Sequence, residues 1–235
     1  MKAMILSAGM GTRLGNITEN IPKALVDING RSVLRIAVEK CTLSGFGDII
    51  INVHHYADLV EREAENLREE GFKISISDER DQLLETGGGL YKAREFFSDE
   101  PFLLYNADVL TDIDLKKMLN YHDTGNSLAT LAVRHRDGSR FFLIDSGGRL
   151  KGWINKSTGE KIVSGSGRLS EVAFSGIHII DPQIFRYMEG GRYTMTALYL
   201  QLSAKQRIST FLHDEGYWFD MGSPSKLEEA RKFLR

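Results

Sequence analysis

The apolar positions in the first half of the chain form short runs that alternate with stretches of helical period. The short runs predict β-strands, and apolar spacings of three and four predict helices that end at glycines. The predicted strands cover residues 2–6, 49–53, 73–77 and 101–105, and the predicted helices cover 33–43 and 57–70. Such alternation implies right-handed crossovers between parallel strands. We therefore expect an α/β protein, a Rossmann-like three-layer αβα sandwich with a mixed, mainly parallel central sheet.

The second half has a different pattern, in which strand-like runs follow one another with only turns between them. These runs cover residues 127–134, 141–145, 149–154 and 172–180. The turn Ser146-Gly147-Gly148 is typical of a hairpin, so we expect antiparallel or mixed strands that extend the sheet. Residues 155–170 are rich in Gly, Ser, Lys and Arg, which predicts a long mobile loop, either a substrate lid or a solvated connector.

Composition narrows the classes of function. The chain has 235 residues and a formal net charge of -2, and its basic residues are scattered. A nucleic-acid partner usually requires a concentrated basic face, so we expect none. The single cysteine, Cys41, lies in an apolar stretch and is expected to be a buried structural thiol. The sequence shows no leader and no run of membrane-spanning length, so we expect a cytoplasmic protein of one domain, 1–235, with no membrane partner.

The most informative segment follows the first predicted strand. Gly9 and Gly11 permit a sharp turn there, and Arg13 and Lys23 lie shortly after it. A turn of this kind exposes backbone N–H groups that form a nest for phosphate oxygens, and the two cations add charge-assisted contacts. The dinucleotide fingerprint is absent, because Leu14 occupies the position of its third glycine, and the ending of a P-loop is absent as well. A tight turn without a ligand is the alternative interpretation.

Two aspartates stand where strand-like runs end. Asp108 follows the run that ends at Tyr105, and Asp220 follows Trp218-Phe219 near the end of the sequence. Either one alone fits a helix cap or a turn. Together they can bind Mg²⁺, which takes one or two carboxylates alongside the phosphate oxygens of a nucleotide.

A third motif, Leu84-Glu85-Thr86-Gly87-Gly88-Gly89, precedes a stretch of helical period at 90–96. It can serve simply as the entrance of that helix. Three successive glycines cost chain entropy, however, and such runs are usually explained by a close approach to the backbone. A nucleobase or a ribose is a natural candidate for that approach.

The opening segment resembles the sugar-phosphate nucleotidyltransferases, whose pattern is Leu-x-Ala-Gly-x-Gly-Thr-Arg-Leu followed by Pro-Lys. The matching residues are Leu6, Ala8, Gly9, Gly11, Thr12, Arg13, Leu14, Pro22 and Lys23. Members often have Arg-Pro-Leu-Thr where this chain has Gly15-Asn16-Ile17-Thr18. The resemblance extends over nearly the whole chain and ends with a closing helix at 223–234.

The resemblance implies roles for individual residues. Arg13 and Lys23 would be catalytic, and Asp108 and Asp220 would bind Mg²⁺. The nucleotide would be bound by Leu6, Ala8, Gly9, Gly11, Thr12, Arg13, Lys23, Gly87, Gly88 and Asn106, and the sugar phosphate by Glu85, Asn155, Lys156 and Gly176. The nucleotide-binding half would be 1–125 and the sugar-phosphate half 126–235. This chain departs from the family pattern at Ala107, usually Gly, and at Asn155, usually Glu.

The resemblance also implies the reaction. A sugar 1-phosphate would attack the α-phosphorus of a nucleoside triphosphate, giving a nucleotide sugar and pyrophosphate. The motif at 84–89 looks like that of the N-acetylmuramate α-1-phosphate uridylyltransferases of cell-wall recycling, so the expected substrates are UTP and that sugar phosphate. A mannose or heptose 1-phosphate guanylyltransferase and a non-catalytic nucleotide-sugar-binding regulatory module are the alternatives. The partners would be small molecules, and the protein a monomer or homodimer.

Overall fold

The computed structural model describes residues 1–9, 12–165 and 167–234, and for residues 12, 13 and 16 it describes the backbone only. Fourteen strands and six α-helices are found in this part of the chain. The strands are β1 Lys2–Leu6, β2 Asp27–Ile28, β3 Arg31–Ser32, β4 Asp48–Val53, β5 Lys73–Asp78, β6 Phe102–Asn106, β7 Val109–Thr111, β8 Ala129–Arg134, β9 Arg140–Ile144, β10 Leu150–Asn155, β11 Lys161–Val163, β12 Ser170–Ile180, β13 Ile208–Leu212 and β14 Trp218–Asp220. The helices are α1 Val33–Leu43, α2 Ala57–Glu69, α3 Glu85–Lys92, α4 Leu115–Gly125, α5 Met195–Leu202 and α6 Pro224–Phe233.

Ten of the strands form one mixed sheet. The first-half strands β5, β4, β1 and β6 are parallel neighbours in that order. The long strand β12 runs antiparallel to β6 and joins this parallel part to β8 and β9. The α/β class and the change from parallel to antiparallel pairing are therefore confirmed. The 146–148 hairpin is confirmed too, because β9 and β10 pair across it.

Helices cover both faces of the sheet, as a three-layer sandwich requires. Side chains alternate along β1, so that Ala3 and Ile5 pack with α1 and α2 while Met4 packs with α3 and α5. A third apolar cluster, which contains Leu14, Met221 and Leu227, joins the opening loop to β14 and α6. None of the helices in the described ranges is long and apolar enough to cross a membrane.

The segment 155–170 differs from the expected loop. Its middle forms β11, which pairs antiparallel with β10 through Trp153 and Ile162. The strand is only three residues long and exposed, so its sequence carries little apolar signal. Pairing with β10, rather than a pattern of its own, accounts for its extended structure.

The glycine motif at 84–89 also differs from expectation. Helix α3 begins at Glu85, so Gly87, Gly88 and Gly89 lie inside the helix and not in front of it. The close approach to their backbone comes from the chain itself. A Cβ atom on Gly88 would lie 2.0 Å from the carbonyl oxygen of Gly191, and one on Gly87 would lie 2.4 Å from the ring of Tyr193. The glycines therefore allow α3 to pack directly against the segment before α5.

We predict that Gly88→Ala lowers the stability of the protein. The added methyl group meets a backbone carbonyl, which cannot rotate away as a side chain can, so the helix or the 190–193 segment must shift. We expect a loss of about 3 kcal/mol in the free energy of unfolding. Thermal or urea unfolding measures it.

Gly190→Ala is the matched control for this variant. Gly190 lies in the same segment and is exposed, and its Cβ atom would come no closer than 3.8 Å to a neighbour, the ring of Tyr91. Equal unfolding free energies for Gly88→Ala and the wild type would show that α3 does not depend on this contact.

Candidate active site

The carboxyl ends of β1, β4 and β6 open into a cleft of about 390 Å³. Ligands of open α/β sheets bind at this edge. The lining residues come from distant parts of the sequence: Leu6, Ser7, Ala8, Gly9, Lys23, Ala24, Asn52, Leu83, Glu85, Thr86, Asn106, Ala107, Asp108 and Arg192. Seven residues predicted from the sequence to form the site are therefore brought together: Leu6, Ala8, Gly9, Lys23, Glu85, Asn106 and Asp108.

A buried hydrogen-bond network holds the start of the glycine turn. The Ser7 backbone N–H donates to Asn52 Oδ1 at 2.7 Å, and Asn52 Nδ2 donates to Glu79 Oε1 at 2.7 Å. The second Glu79 oxygen accepts from the backbone N–H of Leu84 at 3.2 Å. Burial raises the pKa of Glu79, while these two donors act in the opposite direction. The network fixes the turn after β1 relative to the start of α3.

Lys23 and Asp108 form an ion pair at the floor of the cleft. Lys23 opens a short 3₁₀ turn, and Pro22 precedes it in an extended conformation. The Lys23 side chain is only 12% exposed, whereas 30% of the Asp108 side chain is exposed to solvent. The ammonium group is therefore fixed next to a carboxylate that a ligand can still reach.

Asp220 is brought next to Asp108 by pairing of two short strands. In this pair Asp220 of β14 lies opposite Val109 of β7, and the Met221 N–H donates to the Asp108 carbonyl at 2.8 Å. Burial alone would raise the pKa of Asp220, but the pKa is held below its usual value by Lys226, which pairs with the carboxylate, and by the charge of Lys23. Asp220 is therefore ionised at neutral pH.

These two carboxylates suit a magnesium ion that arrives with a nucleotide. Both are partly open to solvent, with 30% of the Asp108 side chain and 23% of the Asp220 side chain exposed. Carboxylate oxygens are the hard donors that Mg²⁺ prefers, and one or two are enough when phosphates and waters complete its shell. The described residues hold no group of three or more histidine, cysteine or acidic side chains that would suit a metal bound by protein alone.

Arg192 adds a second cation to the cleft lining, and the sequence did not predict it as a site residue. Its Nη2 donates to Glu85 Oε1 at 3.0 Å. Glu85 has a φ of 61°, a left-handed conformation that residues other than glycine rarely adopt. The packing of α3 against the 190–193 segment brings Arg192 and Glu85 together. The sequence around Arg192 contains no motif that would predict this contact.

The remaining predicted sugar-phosphate residues lie outside the cleft lining. Asn155 is buried at the end of β10, where its Oδ1 accepts from the Ser157 N–H at 3.1 Å. Lys156 pairs with Glu171 at 2.5 Å and lies over the Phe141 ring. Gly176 lies behind the cleft. Its φ is 80°, and a Cβ atom there would come within 2.9 Å of the Asn106 side chain.

Part of the predicted nucleotide site lies outside the described residues. Gly11 lies outside the described residues, as do the side chains of Thr12 and Arg13. Gly87 and Gly88 are buried and do not line the cleft, whereas Glu85 and Thr86 of the same motif do. Contacts of these predicted residues with a nucleotide stay predictions.

Comparison with known proteins identifies the family. The profile of the nucleotidyl transferase family matches residues 2–235. An N-acetylmuramate alpha-1-phosphate uridylyltransferase of Neisseria meningitidis is 31% identical and covers 98% of this chain and 97% of its own length. A mannose-1-phosphate guanylyltransferase catalytic subunit beta of Danio rerio is 29% identical, with coverage of 95% of this chain and 62% of its own length.

The fold agrees with this assignment. The crystal structure of HddC from Yersinia pseudotuberculosis complexed with GMP-PN superposes with a TM-score of 0.79 at 21% identity, over 100% of this chain and 99% of that one. At that identity the likeness bears on the fold alone. Because the family profile covers all but the first residue, the chain belongs to the nucleotidyl transferase family and is an enzyme that transfers a nucleotidyl group.

Proposed function

We propose that the enzyme transfers a uridylyl group from UTP to a sugar 1-phosphate, with N-acetylmuramate α-1-phosphate as the sugar substrate. The observation that carries this proposal is the Lys23–Asp108 pair, which lines the same cleft as Ala8 and Gly9 and lies near Asp220. The uridylyltransferase of Neisseria meningitidis, which matches over nearly its full length, supports the choice of base and sugar.

In the proposed reaction, an oxygen of the sugar 1-phosphate attacks the α-phosphorus of UTP in line. The bond from that phosphorus to the oxygen bridging to the β-phosphate breaks, and pyrophosphate leaves. The attacking phosphate is already ionised at neutral pH, so no general base is needed. Catalysis then depends on positioning two anions and on neutralising the charge that accumulates between them.

The cations of the cleft perform this task in the proposal. Lys23, held by its ion pair with Asp108, contacts the phosphate at the reacting centre. Arg192, which also lines the cleft, provides a second positive charge near that phosphate. Arg13, assigned from the resemblance, holds the departing pyrophosphate. Asp108 and Asp220 would hold Mg²⁺, which would supply further positive charge at the α-phosphate.

The wider arrangement follows from these roles. We assign nucleotide binding to the half 1–125 and sugar-phosphate binding to 126–235, within one domain. We place the reaction in the cytoplasm. The buried free thiol of Cys41 is compatible with a reducing compartment.

Guanylyl transfer to mannose 1-phosphate is the second candidate, because the matching protein of Danio rerio carries that activity in its name. Pyrophosphate release should be measured with UTP, GTP, CTP and dTTP, each combined with N-acetylmuramate, mannose and glucose 1-phosphates and Mg²⁺. We expect the highest kcat/KM for UTP with N-acetylmuramate α-1-phosphate. A preference for GTP and mannose 1-phosphate would replace our assignment, and binding without turnover would favour the regulatory module.

We predict that Lys23→Ala lowers kcat by about 10²- to 10³-fold, because it removes a pre-positioned charge at the reacting phosphate. Lys117→Ala is the control, since it also removes a lysine paired with an aspartate, Asp114, but on the exposed face of α4. Pyrophosphate release gives the rate, and circular dichroism verifies the fold. A Lys23→Ala enzyme with the kcat of the control would remove Lys23 from the mechanism.

We predict that Asp108→Asn raises the Mg²⁺ concentration needed for half-maximal rate by at least about tenfold, because the metal loses a charged ligand. The measurement is a Mg²⁺ titration of the initial rate at saturating UTP. Asp114→Asn, which alters a helix-capping aspartate outside the cleft, serves as the control. The same titration midpoint in Asp108→Asn and the wild type would argue against a ligand role for Asp108.

A further inference from the structure

A second cavity, of about 440 Å³, lies next to the cleft. We call it the arginine pocket. It is lined by Arg136, Arg140, Phe142, Trp153, Phe174 and Thr194, among others. Arg136 lies in the loop between β8 and β9, the others lie in β9, β10 and β12, and Thr194 caps α5, so all belong to the half of the chain assigned to the sugar phosphate.

The arginine pocket adjoins the cleft, because residues of the two linings are neighbours in the structure: the Thr86 hydroxyl of the cleft accepts from the Met195 N–H, between Thr194 and Thr196 of the pocket. Thr194 lines the pocket and Arg192 lines the cleft, so two residues of chain, at most about 7 Å, separate the two linings on this side. On the other side, the Arg136 guanidinium stacks on the Trp218 ring at 4.5 Å, and Trp218 is two residues before Asp220. A sugar whose 1-phosphate occupies the cleft can therefore place a ring substituent in the arginine pocket.

Arg136 brings a partly buried positive charge that lacks a carboxylate partner in the described part of the chain. Its guanidinium donates to two backbone carbonyls, those of Asp137 and Phe174, each at 3.2 Å. An arginine side chain has five N–H donors, so three are without a partner among the described residues, including the buried Nε. Burial lowers the pKa of Arg136 and the charge of Asp220 raises it, but a guanidinium stays protonated at neutral pH.

The rest of the lining suits an anion on a sugar. Arg140 is exposed and makes no side-chain hydrogen bond or ion pair within the described residues, and the pocket lining contains no acidic residue. The Phe142 and Phe174 rings lie 5.5 Å apart and, with Trp153, offer apolar walls to a ring face or a methyl group. Two guanidinium groups that have no carboxylate partner among the described residues, next to apolar side chains, favour binding of a carboxylate on a short apolar substituent.

We propose that the arginine pocket binds a carboxylate-bearing substituent of the sugar ring and makes the enzyme selective for acidic over neutral sugar 1-phosphates. This inference rests on the proposed function and deepens it. N-acetylmuramate is such a sugar, because its lactyl ether ends in a carboxylate. N-acetylglucosamine has the same ring and acetamido group without that ether, so the two α-1-phosphates form a matched pair of probes.

The test compares kcat/KM for these two sugar phosphates with UTP in the wild type, Arg136→Gln, Arg140→Gln and the control Arg186→Gln, an exposed arginine outside the pocket. We expect the wild type to prefer the acidic sugar. Each pocket variant should lower that preference by about tenfold to a hundredfold, the effect of one charge-assisted hydrogen bond. The control should keep the wild-type preference. Arg140 is exposed, so its variant tests the inference even if Arg136→Gln unfolds.

The outcomes separate this inference from the proposed function. Equal losses for both sugars in the pocket variants would overturn the inference, because the arginines would then contact a group that both sugars share, such as the phosphate. Equal use of both sugars by the wild type would overturn it as well. Absence of pyrophosphate release with every sugar would instead defeat the proposed function. In that case calorimetric binding of the two sugar phosphates to the wild type and Arg140→Gln decides the inference, with equal affinities counting against it.

Discussion

The cleft depends on balancing two negative charges that the fold forces together. Asp220 lies in β14 and Asp108 directly precedes its partner strand β7, with the Met221 N–H donating to the Asp108 carbonyl, so two like charges are brought close together and repel each other. Each carboxylate has its own lysine, Lys23 for the first and Lys226 for the second. These lysines come from opposite ends of the sequence, so the charge balance exists only when the opening loop, β7 and α6 are assembled. The third apolar cluster packs those segments together and so keeps each lysine next to its aspartate.

The segment that carries Arg192 is held in a different way, by close packing of its backbone against α3. Helix α3 presents glycines to the 190–193 segment, and the Gly87 N–H donates to the Tyr193 carbonyl at 2.8 Å. This contact brings Arg192 into the lining of the cleft that Lys23 also lines. The network of Asn52 and Glu79 then ties the start of α3 to the turn after β1. The turn after β1 and the start of α3 are thereby held in fixed positions relative to β4, which carries Asn52.

Much of this arrangement could be predicted from the sequence, and the exceptions share a cause. The strands of the first half, the turn after β1 and Asp108 follow from local patterns, because parallel strands bring their carboxyl ends to one edge. The need for glycine in α3 comes from a segment about a hundred residues later in the chain, and β11 is extended because β10 pairs with it. Arg192 pairs with Glu85, 107 residues earlier, and Glu79 accepts a hydrogen bond from Asn52, 27 residues earlier. Asn52 gave one usable signal, a polar side chain inside an otherwise apolar strand. Lys156 follows the family pattern and Asn155 departs from it, and both lie outside the cleft lining, where Asn155 accepts from the Ser157 N–H and Lys156 pairs with Glu171.

Strand β12 connects the two halves of the site, and its middle is irregular. Its carboxy-terminal part is bonded to β6 in the core, its amino-terminal part is bonded to β9, and the register with β8 shifts between Phe174 and His178, around Gly176. A bulge bends a strand and redirects the residues beyond it. The irregularity at Gly176 thus lies between the part of β12 that pairs with β6, the strand leading to Asp108, and the part that pairs with β9, a strand of the proposed sugar pocket. Substitutions in β9 and β10 could therefore change the proposed sugar selectivity over evolutionary time without changing β6, the strand that ends just before Asp108.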